Sequence, residues 1–378
     1  MPWKEVSAVS LRKEFVRLAE SETVSMRELC HRFEVSPCTG YKWLRRYQVE
    51  GADGLVDRSR RPRHCPARTP ADVEAAVVAL RLGHPSWGGR KIQARMLALG
   101  RTSVPSPSTI TAILHRHGLI DAAQAACHRP WQRFEHEAPN HLWQMDFKGH
   151  FPLSYGRCHA LTVLDDHSRF SVGLDACPNE LGSTTQERLT NIFRRYGLPL
   201  RMVMDNGSPW GNDTEHPHTP LTVWLMRLGI AVCHGRPYHP QTQGKDERFH
   251  RTLKAEVLQG RLITDLAHCQ RLFDEWRVVY NFERPHQALG NATPASRYQP
   301  SPRHFPESLP PIEYGPDDQV RKVQAEGVVF FKGRVFRVSK AFRGLPIALR
   351  PTQEDGLWQV YFLTQPIAHI DFRCPDDV

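Results

Sequence analysis

Two proline-rich stretches limit what this 378-residue sequence can fold into. Residues 58–70 set Pro62, Pro66 and Pro70 among Arg58, Arg60, Arg61, Arg63 and Arg68. Residues 290–311 carry Pro294, Pro300, Pro302, Pro306, Pro310 and Pro311. Proline fixes φ and donates no backbone hydrogen bond, so neither stretch can be an unbroken helix or a central strand. Each reads as a linker, and the chain is cut into several folding pieces. The length agrees, since one hydrophobic core rarely serves so long a chain.

Before the first linker the spacing predicts three helices. Leu11, Phe15 and Leu18 share a face. Ser25, with Glu28 three residues on, has the arrangement of a capping box. Ser36-Pro37 opens a third helix carrying Tyr41, Lys42, Trp43, Leu44, Arg45 and Arg46. Helix, short turn, then a helix rich in Lys, Arg and aromatics is the helix-turn-helix pattern. A second version follows, with helices expected from residue 69 or 70 to Leu82, from Gly89 to Leu99, and from Thr109 to His117 behind Ser106-Pro107-Ser108. Both could equally be small helical cores.

Charge favours the first reading. Residues 1–137 hold 22 Lys and Arg against 14 Asp and Glu, whereas residues 138–378 hold 28 against 26. Most of the net +10 therefore lies in the first third of the chain, which points to a polyanionic partner held through counterion release. Thr39, Lys42, Arg45 and Arg46 are the expected groove or phosphate contacts, with Arg58, Arg60, Arg61 and Arg63 in the linker.

From residue 141 the periodicity changes. Strands are expected at Leu142–Phe147, His159–Leu164, Val172–Leu174, Met202–Met204 and Ile230–Cys233. Helices are expected at Thr184–Tyr196, Leu221–Leu228 and Asp246–Leu258. This is a mixed α/β sheet with helices on its faces. After the second linker, short β segments at 327–331, 334–338, 347–350 and 358–363 suggest a small β-barrel.

Three acids stand in unusual settings. Asp146 interrupts an apolar strand, Asp205 ends one before Asn206-Gly207, and Glu247 lies in the first turn of a helix. Taken singly they could be an edge-strand, a turn-capping and a helix-start carboxylate. Arg251 and Lys254 share the helix face of Glu247, while Phe249, Leu253 and Val257 form a separate apolar face.

The strings Trp143-Gln-Met-Asp146-Phe, Met204-Asp205-Asn-Gly207 and His239 to Lys254, with Tyr280 to Gly290, resemble those of DDE-type bacterial insertion-sequence transposases with a retroviral-integrase-like catalytic core. The match covers residues 139–298. Asp205 and Glu247 are 42 positions apart, a longer interval than the family commonly shows, which the polar stretch 210–220 accounts for. The resemblance implies a multidomain α/β protein with an RNase H-like core. In it Asp146, Asp205 and Glu247 would be the catalytic acids and would hold two Mg²⁺ or Mn²⁺ ions, with Lys254, Arg251, Arg248 and Lys245 on DNA phosphates.

The expected division is a helix-turn-helix domain over 1–57, a linker over 58–69 and a second helix-turn-helix-like domain over 70–120. A connector over 121–138 leads to the catalytic core over 139–298. A linker over 299–311 and an SH3-like β-barrel over 312–378 complete it. The expected partners are the element's terminal inverted repeats and target DNA, bound by a homo-oligomer on paired ends. Two other readings stay open: a silent DNA-binding regulator derived from a transposase, and a structure-selective nuclease. Asp165-Asp166 is expected to be a structural turn. His115, His117, Cys127 and His128 fit no common zinc spacing. Nine cysteines without a C-x-x-C pair suggest a reducing compartment. No apolar run is long enough to span a bilayer, and the expected location is the bacterial cytoplasm, on the nucleoid.

Overall fold

The computed structural model describes residues 7–59, 69–120, 135–211, 217–235 and 244–373. The chain divides into two compact units, Met1–Arg68 and Thr69–Val378.

In the first unit each helix start is set by a serine. α1 (Ala8–Glu20), α2 (Met26–Arg32) and α3 (Pro37–Glu50) follow Ser7, Ser25 and Ser36, whose hydroxyls accept from Ser10, Glu28 and Thr39 backbone N–H groups. Phe15, Val16, Leu29, Cys30 and Leu55 form the core. Gly40 lets α3 lie close on its neighbours, because a Cβ there would stand 2.8 Å from Phe15 Cζ.

The second unit begins with α4 (Ala71–Gly83), α5 (Gly89–Ala98) and α6 (Pro107–Arg116) around Val77, Trp87, Ile92, Met96, Ile110 and Leu114. A mixed sheet follows: β1 (Leu142–Pro152), β2 (Arg157–Asp165), β3 (Ser171–Cys177), β4 (Arg201–Met204) and β5 (Ala231–His234). Its order is β3-β2-β1-β4-β5. β1, β2 and β3 are antiparallel, and β4 and β5 run parallel to β1. This is the RNase H-like arrangement expected of the core.

Strand alternation divides the side chains between two layers. Trp143, Met145, Leu161, Val163, Met202 and Met204 pack with α7 (Gly182–Tyr196) and α8 (Pro220–Arg227). Cys158, Ala160 and Leu164 face the opposite layer, made by α9 (Gly244–Leu253) and α10 (Leu266–Val278). By the same parity Asp146 and Asp205 belong to the α9 layer.

Both edges of this sheet are closed by side chains. On β3, Gln270 accepts from Ala176 N–H and donates to Leu174 O, while Asn281 accepts from Ser171 N–H and donates to Ser171 O. Beside β5, Gln365 accepts from Val232 N–H and donates to Ile230 O.

Several boundaries differ from expectation. β1 runs on to Pro152 through a bulge between Phe147 and His150. The Glu247 helix starts at Gly244 and continues past Leu253 as a π-helical turn, Lys254–Leu258. The proline-rich stretch is no free tether but a strap on the core. Ser301 N–H donates to Tyr196 O, and Arg303 donates to the carbonyls of Pro199, Leu228 and Gly229.

The terminal β module has a four-stranded sheet and a hairpin. The sheet comprises β6 (Gln319–Lys322), β9 (Pro346–Pro351), β10 (Leu357–Phe362) and β11 (Gln365–Asp371); the hairpin is β7 (Val328–Phe331) with β8 (Arg334–Arg337). No ladder joins the two among the described residues, so the expected closed barrel is an open two-sheet module. Its core shares Val223 and Met226 of α8.

Candidate active site

Asp146 faces the sheet partner Thr162 across β1 and β2. The Thr162 hydroxyl donates to the Asp146 carbonyl at 2.9 Å and lies 2.8 Å from His250 Nε2. A hydroxyl has one proton, so Thr162 accepts from His250 Nε2–H. That leaves Nδ1 as the bare nitrogen, 3.9 Å from Asp146 Oδ2. Burial, and then the nearby Lys148 ammonium, pull His250 down to about 4, so it is neutral at physiological pH.

The Asp146 carboxyl is pushed up to about 7, first by burial and next by the charge of Asp205. Glu180 and Glu247 push the same way, and the Phe147 N–H opposes them. Asp205 is raised by burial, against the Gly207 N–H that donates to its Oδ1 at 3.1 Å and the nearby His234. Asp146 thus has Asp205, Glu180 and Glu247 all within electrostatic reach. Mutual repulsion of this kind is relieved by a cation. Among the described residues no three His, Cys, Asp or Glu side chains already converge as a ready metal cage.

Asp246 adds a further acid that the sequence reading missed. It is buried, neither carboxylate oxygen has a hydrogen-bond partner, and burial with Asp146 and Asp166 nearby raises it well above the usual range. The signal was present: Asp246 sits three residues before Phe249, on the apolar face of α9. Glu180, Lys148 and His250 were missed too, because only the fold brings them to Asp146.

The adjacent Asp165 and Asp166 are structural, as expected. Asp165 accepts from Asn140 N–H at 2.7 Å and from Ser168 N–H at 2.8 Å and Oγ–H at 2.5 Å. Asp166 accepts from Gln144 Nε2 at 2.7 Å and His136 N–H at 2.9 Å, and it ion-pairs with Lys245.

The expected DNA contacts divide by availability. Lys245 is committed to Asp166, Arg58 to Glu50, and Arg46 to the Val56 carbonyl and the face of Trp43. The Thr39 hydroxyl pairs with Ser36 in the α3 cap. Lys42 and Arg45 are exposed, as are Arg248, Arg251 and Lys254 on and just beyond α9. Arg60, Arg61 and Arg63 lie outside the described residues.

Family profiles match five segments. Residues 11–63 match a helix-turn-helix domain and residues 39–114 a homeodomain-like domain. Residues 136–240 and 228–294 match integrase core domains, and residues 318–376 match the C-terminal domain of IS481 family transposases. An uncharacterized 39.2 kDa protein of insertion element IS476 from Xanthomonas euvesicatoria is 27% identical over 241 residues, 62% of this chain and 67% of that protein. These are the features of a DDE-type insertion-sequence transposase.

A second relative, the uncharacterized 31.7 kDa protein of insertion element IS407 from Burkholderia multivorans, is 27% identical over 42% of this chain and 55% of that protein. The chain thus spans between about half and two thirds of these relatives. Against the HTLV-2 integrase catalytic core in complex with magnesium the TM-score is 0.34, at 17% identity over 43% of this chain and 99% of that one. That score is below the level at which a shared fold follows. Asp146 and Asp205 fall in the first integrase-core match and Glu247 in the second. No helix among the described residues is long and apolar enough to cross a membrane.

Proposed function

We propose that the chain is an active DDE transposase that binds the terminal inverted repeats of its element and catalyses DNA strand cleavage and strand transfer. The observation that supports this most is the repulsion on Asp146 from Asp205, with lesser shares from Glu180 and Glu247, on the sheet face that packs against a helix with exposed cations.

The donor set fits a hard divalent cation. Asp146, Asp205 and Glu247 offer only carboxylate oxygens, which suit Mg²⁺ or Mn²⁺. These residues would hold two such ions, which supply activation of the attacking oxygen and stabilisation of the leaving one in an in-line displacement. The protein's own part is positional. Thr162 and His250 fix the backbone and surroundings of Asp146, while Asn206 Nδ2 donates to Gly235 O and steadies the turn after Asp205. Lys254 and Arg251, without carboxylate partners among the described residues, would hold the DNA backbone beside the acids. The nucleophile would be water in cleavage and a DNA 3′-hydroxyl in joining.

The test is a strand-joining assay with Mg²⁺ and DNA from the two flanks of the coding sequence. Joining by the unmodified chain, lost in Asp146→Asn, Asp205→Asn and Glu247→Gln, is expected. Unchanged joining in all three variants would overturn the assignment. Flank binding without joining would favour a regulator, and cleavage of branched substrates without end preference would favour a nuclease.

A further inference from the structure

The second helical domain and the Glu247 helix meet at one acid. Glu256, on the π-helical turn that extends α9, accepts at Oε1 from Arg284 Nε at 3.2 Å and from the Ser86 hydroxyl. Its Oε2 accepts from Trp276 Nε1 at 2.7 Å. Close by, Glu283 accepts from Arg95 Nη2 at 2.7 Å. Ser86 and Arg95 bracket the start of α5, so these contacts fix that helix against the core.

Lys91 lies one turn before Arg95 on the same face of α5. It therefore points to the same junction, within electrostatic reach of Glu256, Arg284 and Arg248. Both nearby carboxylates are already occupied, Glu256 by three donors and Glu283 by Arg95. Among the described residues the Lys91 ammonium has neither a salt bridge nor a hydrogen bond, although it is half-buried. Burial, with Arg284 next, pulls it down to about 8. A partly desolvated ammonium beside two guanidiniums opposes folding unless an anion arrives from outside.

We propose that Lys91 and Arg248 form a clamp for two neighbouring backbone phosphates of duplex DNA, one on each cation, at the junction of α5 and α9. Arg251 and Lys254 continue the cationic strip along the helix, three and six residues beyond Arg248, so DNA held at the clamp is led along the helix of Glu247. DNA is the polyanion because the basic excess of the chain precedes the catalytic core and the helical domains match DNA-binding types. The clamp rests on the proposed function for that identity alone.

The experiment measures binding of the full chain to a labelled random-sequence duplex across a salt series, followed by anisotropy. Each phosphate contact contributes about 0.9 to the slope of log K against log salt. Lys91→Gln is expected to make the slope shallower by about 0.9, and the Lys91→Gln/Arg248→Gln pair by about 1.8. Lys91→Arg should keep the slope. Lys91→Gln should match or exceed the parent in thermal stability, since an unpaired charge is removed.

An unchanged slope in Lys91→Gln, or an equal change in Arg271→Gln, an exposed residue of α10, would overturn the clamp. So would a loss of thermal stability in Lys91→Gln. The two readings fail separately. A chain that joins strands yet shows no slope change loses only the clamp. A chain that does not join strands but shows the change loses only the transposase reading.

Discussion

Two groups of acids, on one sheet and on the helix packed against it, differ in what surrounds them. Asp165 and Asp166 have their oxygens filled by Asn140, Ser168, Gln144, His136 and Lys245. Asp146 and Asp246 have other carboxylates as neighbours, and both oxygens of Asp246 are empty of partners. Burial pushes Asp165 upward as well, but its three donors pull against it. The difference separates acids whose charge the fold compensates from acids whose charge it leaves uncompensated.

The largest effect expected from this contrast is on activity. Asp146→Asn should lower strand joining by about a thousandfold, several kcal/mol of transition-state stabilisation, in a Mg²⁺-dependent joining assay. Its urea midpoint should stay the same or rise. A variant that joins normally would place Asp146 with the structural acids.

Asp165→Ala should do the reverse. It leaves the Asn140 and Ser168 N–H groups buried without an acceptor and should cost about 3 kcal/mol in urea unfolding. A loss below about 0.5 kcal/mol would mean that the donors around Asp165 are not what separates the two groups.

Asp246→Val should stabilise the fold by about 1–3 kcal/mol, because it removes a buried carboxyl with no hydrogen bond from an otherwise apolar helix face. Destabilisation in the same urea series would show that Asp246 has a partner that matters to folding.

The smallest effect is the pH dependence of stability from Asp146, whose side chain remains 25% exposed. Its folded-state value of about 7 exceeds the ordinary aspartate range. The folded chain therefore holds the proton more tightly than the unfolded chain between those two values. Stability from this group is present below the ordinary range and falls as pH rises toward 7. Unfolding midpoints measured against pH should be flatter in Asp146→Asn. An equal slope in parent and variant would remove Asp146 as the source.

Much of this contrast could be read from the residues. Ser25, Ser36 and Ser106 announced helix starts, and all three hydroxyls cap the helices that follow. Asp146 betrayed itself by interrupting an apolar strand. Other parts were hidden because they depend on long-range contacts. Helix α10 was missed: its buried Cys269, Phe273 and Trp276 are separated by polar residues, so its pattern is clear only against the sheet. The end of β1 was missed because the bulge after Phe147 breaks the alternation that marks a strand. That Lys245 answers Asp166, 79 positions away, has no local signature. Nor does the strap at Arg303, where proline content correctly excluded a helix but could not reveal what the carbonyls of Pro199, Leu228 and Gly229 would hold.

The side chains of Gln270, Asn281 and Gln365 have a consequence for assembly. An open strand edge is a template on which another chain can continue the sheet. Here amide side chains occupy backbone positions on the outer strands, like end plates on a stack. At those positions a neighbouring copy would have to evict an amide before it could pair its own backbone. Contacts between copies are therefore steered toward helices and loops, and the sheet that carries the acids stays at five strands.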